Sequence, residues 1–186
     1  MGKKLSEMSL EELWQLFPIF LTEHKDCWKE WYFEEERLLR NALQQITRIS
    51  HIGSTAISSI WAKPIIDILA EVPKGSDLLD YKELITNVGY ICMSHGEKGL
   101  SFNKGYTEEG FAEQVFHLHL RHSGDNDELY FRDYLIEYPH VAREYENLKL
   151  KLWREYEHNR DGYTNAKSEF VKLYTQKARI LYENRY

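Results

Sequence analysis

Two cysteines, Cys27 and Cys92, are too few to build a disulfide framework across 186 residues, so a reducing cytoplasm is the expected setting. Long apolar runs are missing too. No stretch approaches the length of a membrane span, and no signal-peptide core is visible, so no membrane partner is expected. The start, MGKKLS, fits the short M-G-x-x-x-S myristoylation pattern, which we read as chance. A basic excess is also absent. Lys and Arg number 24 against 30 Asp and Glu, a formal net charge of −6, which argues against a nucleic-acid polymer as partner. A local basic pocket for one phosphorylated small molecule is compatible with that balance. The chain has no internal repeat and no low-complexity linker, and residues 1–186 are expected to form one domain.

What is abundant is aromatic: 13 Tyr, 8 Phe and 5 Trp, enough for a thick core with rings to spare for a ligand. Hydrophobic periodicity places helices at both ends and strands in the middle. Ser9 with Glu12 predicts a capping box for a helix ending before Pro18. Asp26 is expected to cap the next helix, whose apolar face is Trp28, Tyr32, Leu39, Ala42 and Ile46. ITRISHI, PIIDILAEV, YICMSH, LSFNKGY and QVFHLHLRH read as strands, with a helix over residues 76–88 among them. Asp127 opens the C-terminal helices, and Pro139 falls where it would start the second of these. That helix carries the apolar stripe Val141, Tyr145, Leu148, Leu152 and Tyr156. The last helix is expected from about Tyr163 to Tyr182. The layout is α+β, with helices packed on one mixed sheet.

One residue breaks the pattern. Asp67 is a carboxylate inside an otherwise apolar strand, and a buried, unpaired carboxylate is costly to ionise. It follows a strand that ends at Gly53 and Ser54, with 12 residues between Ser54 and Asp67. The order strand, Gly-Ser turn, acidic strand resembles the nucleotidyltransferase superfamily that includes DNA polymerase beta. HIGSTAI, AKPIIDI, NKGYT, FHLHLR, FRDYL, AREYENLK and YTNAKSEF, in that order, resemble the GrpB family of predicted nucleotidyltransferases over roughly Trp28 to Phe170. The resemblance implies a nucleotidyltransferase-like fold. It also implies that the Gly-Ser turn holds phosphate and that acids on the next strand hold Mg²⁺.

The residues themselves add a departure. Carboxylates that share a metal sit at i and i+2 on a strand, about 6.7 Å apart. The partner position of Asp67 is Leu69. Glu71 lies on the same face but about 13 Å away by the same rise. His117 and His119 share one face of their own strand. Together with Asp67 they form a candidate site for a divalent metal (Mg²⁺, Mn²⁺ or Zn²⁺), Asp67 also being the candidate catalytic residue. The alternative, which we weight higher, is that the histidines hydrogen-bond Asp67 and backbone without metal.

Gly53, Ser54 and Thr55 are candidate phosphate-binding residues through their backbone NH groups and hydroxyls. Lys63, Lys104, Arg132, Tyr163 and Lys167 lie in the family-like motifs and are candidates for holding a nucleotide or other phosphorylated small molecule. His51, just before the turn, reads as a satisfied core histidine. The expected function is nucleotidyltransferase-like: binding of a nucleotide or other phosphorylated small molecule, with metal-dependent nucleotidyl transfer left open. The alternative is a non-catalytic anion-binding module on the same fold, its acid pair lost at Leu69.

Overall fold

The computed structural model describes residues 3–96 and 99–186. The myristoylation pattern at Gly2 lies outside them. Helix α1 (Leu10–Leu16) opens with the expected capping box: Glu12 N donates to Ser9 Oγ at 3.2 Å, and Ser9 N donates to the Glu12 carboxylate. Helix α2 (Cys27–Ala42) follows Asp26, but Asp26 does not cap it. Its backbone is already helical, so its carboxylate makes no bond to the exposed NH groups. The strands are β1 (Arg48–Ile52), β2 (Ile66–Val72), β3 (Ile91–Gly96), β4 (Gly99–Thr107) and β5 (Gly110–His122). Helix α3 (Asp80–Asn87) separates β2 from β3 and starts later than residue 76, because turns occupy residues 78–79. Three helices close the chain: α4 (Asp127–Glu137), α5 (Pro139–Tyr156) and α6 (Arg160–Tyr182). Pro139 sits at the start of α5, where its missing NH costs nothing.

The five strands form one mixed sheet in the order β1-β2-β5-β4-β3, with β2 and β5 parallel and the other pairs antiparallel. Alternation along β2 gives the sheet two different faces. Ile66, Ile68, Ala70 and Val72 pack with Trp28, Tyr32 and Leu39 of α2 and with Tyr81 and Ile85 of α3, forming the main core. Asp67, Leu69 and Glu71 point the other way. On that face Leu69 is sealed against Ile52 and Leu129. Glu71, also buried, is bound by Arg48 (3.2 Å), the Gly124 NH (3.0 Å) and Asn126 Nδ2 (3.1 Å). Each polar group on this face is therefore local to its own partners. A second core of Ile57, Ile60, Leu135, Val141, Ala142 and Tyr145 joins the loop after β1 to the C-terminal helices.

The turn after β1 depends on glycine. Gly53 has φ +70° and ψ −172°, a region that is essentially glycine's alone. A Cβ there would overlap Asp67 Oδ2 and stand 3.0 Å from Asp67 Cβ and Cγ. Gly75 also has positive φ, at +89°, but a Cβ there would meet nothing within 4 Å. The pair contrasts a positive-φ glycine in open space with one whose Cβ position is already occupied. Gly75→Ala is expected to cost about 1–2 kcal/mol. Gly53→Ala is expected to cost about 1–3 kcal/mol more from overpacking. Urea denaturation of the two variants checks this, and equal losses would contradict the close approach of Asp67.

Candidate functional site

The register of β2 on β5 puts Asp67 opposite His117 and Leu69 opposite His119. Asp67 Oδ1 is 3.3 Å from His117 Nδ1 and 4.0 Å from His119 Nε2. On its other side, His117 Nε2 accepts from the Tyr106 hydroxyl at 2.7 Å, and Tyr106 in turn accepts from Arg160 Nη2 at 2.9 Å. A polar chain thus runs from β2 through β5 and β4 to the start of α6. Burial alone would raise the Asp67 carboxyl, but the adjacent His117 NH and the neighbouring His119 ring hold it well below the usual carboxylate range. Burial lowers His117 more than Asp67 raises it, so its ring is held neutral at pH 7. The aspartate in the apolar strand is therefore a paired, ionised group.

That pairing bears on the expected metal. Both ring nitrogens of His117 are engaged, so ligation would have to break the contact to Asp67 or the one to Tyr106. Leu69 holds the second-acid position in an apolar cluster. Among the described residues no group of three His, Cys, Asp or Glu side chains is placed to hold a metal ion. Asp67, His117 and His119 do come together, but not with the geometry of a metal cage. His119 keeps a buried Nδ1 with no partner among the described residues.

A pocket of about 190 Å³ opens over Asp67. Gly53, Ser54 and Thr55 supply one wall, Lys63 and His117 another, and Tyr163 and Lys167 of α6 a third. The rest comes from Tyr145 and Lys149 of α5, which sequence reasoning missed. Lys149 is 2% exposed and donates to Ser54 Oγ at 3.0 Å and to the Trp61 carbonyl. It tethers the Gly-Ser turn to α5. Its sequence signal was the four-residue spacing from Tyr145, which puts both on one helix face. Two cations approach the Tyr163 ring, with the Lys167 ammonium 4.2 Å and the Lys63 ammonium 5.5 Å from its centre.

Two predicted residues are elsewhere. Lys104 pairs with Phe116 in the β4–β5 register and so faces α2, on the opposite side of the sheet from Asp67. It is bound there by both oxygens of Glu35, at 2.8 and 3.0 Å. Arg132 of α4 is spent on Asp133, the His51 carbonyl and the Tyr186 hydroxyl. His51, expected to be a satisfied core histidine, is half-buried and has its partners. It stacks on Tyr32 at 4.8 Å and donates from Nε2 to Thr55 Oγ1, whose own proton goes to the Ile65 carbonyl. Burial lowers His51 to about 4.

The pocket is cationic under strain. Burial, then the neighbouring Lys167 and Arg160, lowers Lys63 to about 7. Burial, then Lys167, lowers Lys149 to about 7 despite Glu146. Lys167 falls to about 8 through burial, with Asp67 opposing. A bound polyanion would relieve all three at once.

A family model described as GrpB protein matches residues 18–177. Glutamate-rich protein GrpB of Alkalihalophilus pseudofirmus is 35% identical over 159 residues, covering 82% of this chain and 91% of that one. UPF0157 protein YqkA of Bacillus subtilis is 30% identical over 183 residues, covering 95% of this chain but 52% of YqkA, so the chain spans about half of that relative. The crystal structure of conserved protein GrpB from Enterococcus faecalis superposes with a TM-score of 0.76 at 27% identity, covering 89% of this chain and all of that one. No helix among the described residues is long and apolar enough to cross a membrane.

The lysine shifts fix the sign of a pH dependence. Between about 7 and the ordinary lysine value near 10.4, the unfolded chain holds protons that folded Lys63 and Lys149 have released. Stability therefore rises with pH across that window. In anion-free buffer the Tm is expected to climb from pH 7 to pH 9, and to climb less in Lys149→Met. Parallel profiles for the two proteins would contradict the buried lysine.

Proposed function

The chain belongs to the GrpB family, and from that premise we propose that it is an anion-binding protein of nucleotidyltransferase-like fold that takes a nucleotide or other phosphorylated small molecule. The observation that supports this reading best is the convergence of Lys63, Lys149 and Lys167 on the Gly53–Thr55 turn within one small pocket. Three ammonium groups against one carboxylate leave a local positive charge on a chain that is acidic as a whole. The volume suits a phosphate or a short phosphoryl chain. Backbone NH groups of a strand-ending glycine turn and the Ser54 hydroxyl add uncharged donors.

The roles divide among the residues. Lys149 fixes Ser54 and neutralises charge from behind the turn. Lys63 and Lys167 neutralise from the front, both close to the Tyr163 ring. Asp67, held by His117, keeps the lysine ammoniums from expelling one another before a ligand arrives. This assignment favours the binding module over metal-dependent transfer, because the position that would complete the acid pair is Leu69, packed in an apolar cluster.

Calorimetric titration with pyrophosphate, in EDTA and then with Mn²⁺ or Mg²⁺, tests the reading. Binding is expected in EDTA. A charge-assisted hydrogen bond is worth about 1.5–3 kcal/mol, so Lys149→Met or Lys167→Met should each weaken it roughly tenfold to a hundredfold. Lys104→Met should leave it unchanged. Affinity indifferent to both pocket lysines would overturn the proposal. Binding seen only with the metal would favour the transferase reading instead.

A further inference from the structure

The anion pocket has a larger neighbour. A cavity of about 440 Å³ lies between the segment before α2 and the start of β5, walled by Phe20, Trp28, Trp31 and Phe111. Lys63 and Ile65 line both cavities, so the Lys63 side chain stands where the two meet. Arg160 also borders the larger one, and it is the far end of the polar chain that reaches Asp67 through Tyr106 and His117. The two spaces are thus adjacent at Lys63 and Ile65, and one hydrogen-bonded network runs between their linings.

We propose that this aromatic cavity holds the flat ring of the same ligand whose phosphate occupies the lysine pocket, making the ligand a nucleotide rather than a sugar phosphate; the inference rests on the anion-binding reading given above. Sites for organic ligands usually enclose about 300–1,000 Å³, so the anion pocket by itself is too small for a whole nucleotide or sugar phosphate. The remainder of the molecule must lie in an adjoining space. The space that adjoins at Lys63 is lined by four aromatic side chains; Trp28 is fully buried, and Phe20, Trp31 and Phe111 offer faces and edges to a planar ring and few groups to a polyol. The polar groups on its lining, Lys25, Glu113 and Arg160, are both donors and acceptors, as the edge of a nucleobase requires. Trp28, one of the lining residues, has a buried indole NH with no acceptor among the described residues. Phe20, Trp31 and Phe111 are the accessible members of the aromatic set: Trp31 and Phe111 are partly buried and Phe20 is 36% exposed.

Adenosine 5′-monophosphate and ribose 5-phosphate carry the same phosphate ester and differ by the base, so their comparison isolates the ring. Both are titrated into the full chain by calorimetry, with pyrophosphate as the ring-free anion and uridine 5′-monophosphate as a smaller ring. Base–aromatic stacking predicts that the two nucleotides bind roughly tenfold or more tighter than ribose 5-phosphate. Trp31→Leu keeps an apolar side chain, though a smaller one, and removes the flat surface, and Phe20→Ala removes a ring that is 36% exposed. Each should shrink the nucleotide advantage to within about twofold to threefold, since the stacking contribution is lost with the ring, while pyrophosphate affinity stays as in the parent chain. Nucleotides binding no tighter than ribose 5-phosphate, or keeping their advantage in both variants, would overturn the inference and leave the anion pocket standing. Failure of pyrophosphate to bind at all would instead overturn the anion-binding reading, and this inference with it.

Discussion

The approach of the Asp67 carboxylate to the backbone of Gly53 sets how closely the turn after β1 can lie against β2. Only a residue without a side chain fits there, in a backbone conformation that only glycine adopts readily. Once the turn is that close, Ser54 and Thr55 are fixed from both sides. His51 and the Ile65 carbonyl hold Thr55, and Lys149 holds Ser54. The pocket is therefore assembled from strand register and a tight turn, and not from a mobile loop.

The same carboxylate governs the charge. A buried lysine without a counter-ion tends to lose its proton, and three of them in one pocket would oppose one another. Asp67 raises Lys63 and Lys167 against burial, and His117 and His119 keep Asp67 itself ionised. Three lysines facing one carboxylate leave the site short of negative charge. A phosphoryl group is the natural complement. Glu71, on the same strand face, does not enter this balance, because Arg48, Gly124 and Asn126 already claim its oxygens.

Much of this was legible in the sequence because strands have a simple period. The break at Gly53-Ser54, the isolated Asp67 and the alternating histidines of FHLHL pointed to the turn, the acid and its partner, and the structure brings Asp67 and His117 into register as neighbours. Residue spacing also placed Tyr163 and Lys167 on one face of the last helix, and both reach the pocket. Face assignment across strands was harder. Lys104 is separated from the pocket by the sheet itself, because which face of β4 looks toward α2 depends on a register that no local pattern records. Arg132 was illegible for another reason: its partner Asp133 is adjacent, but Tyr186 and the His51 carbonyl are brought to it only by folding. Lys149 hid among the apolar stripe of α5, where a lysine reads as a surface residue until its neighbours are known.

If the pocket lysines are held near neutrality for want of an anion, their titration can be read one side chain at a time. Isotope-labelled lysine side chains, followed by NMR across pH with Lys63→Met, Lys149→Met and Lys167→Met for assignment, report each ammonium directly. Three lysines should titrate at about 7 to 8 in the free protein, all moving upward when pyrophosphate is added. Ordinary lysine titrations near 10.4 at all three positions, unmoved by pyrophosphate, would contradict the anion-starved pocket.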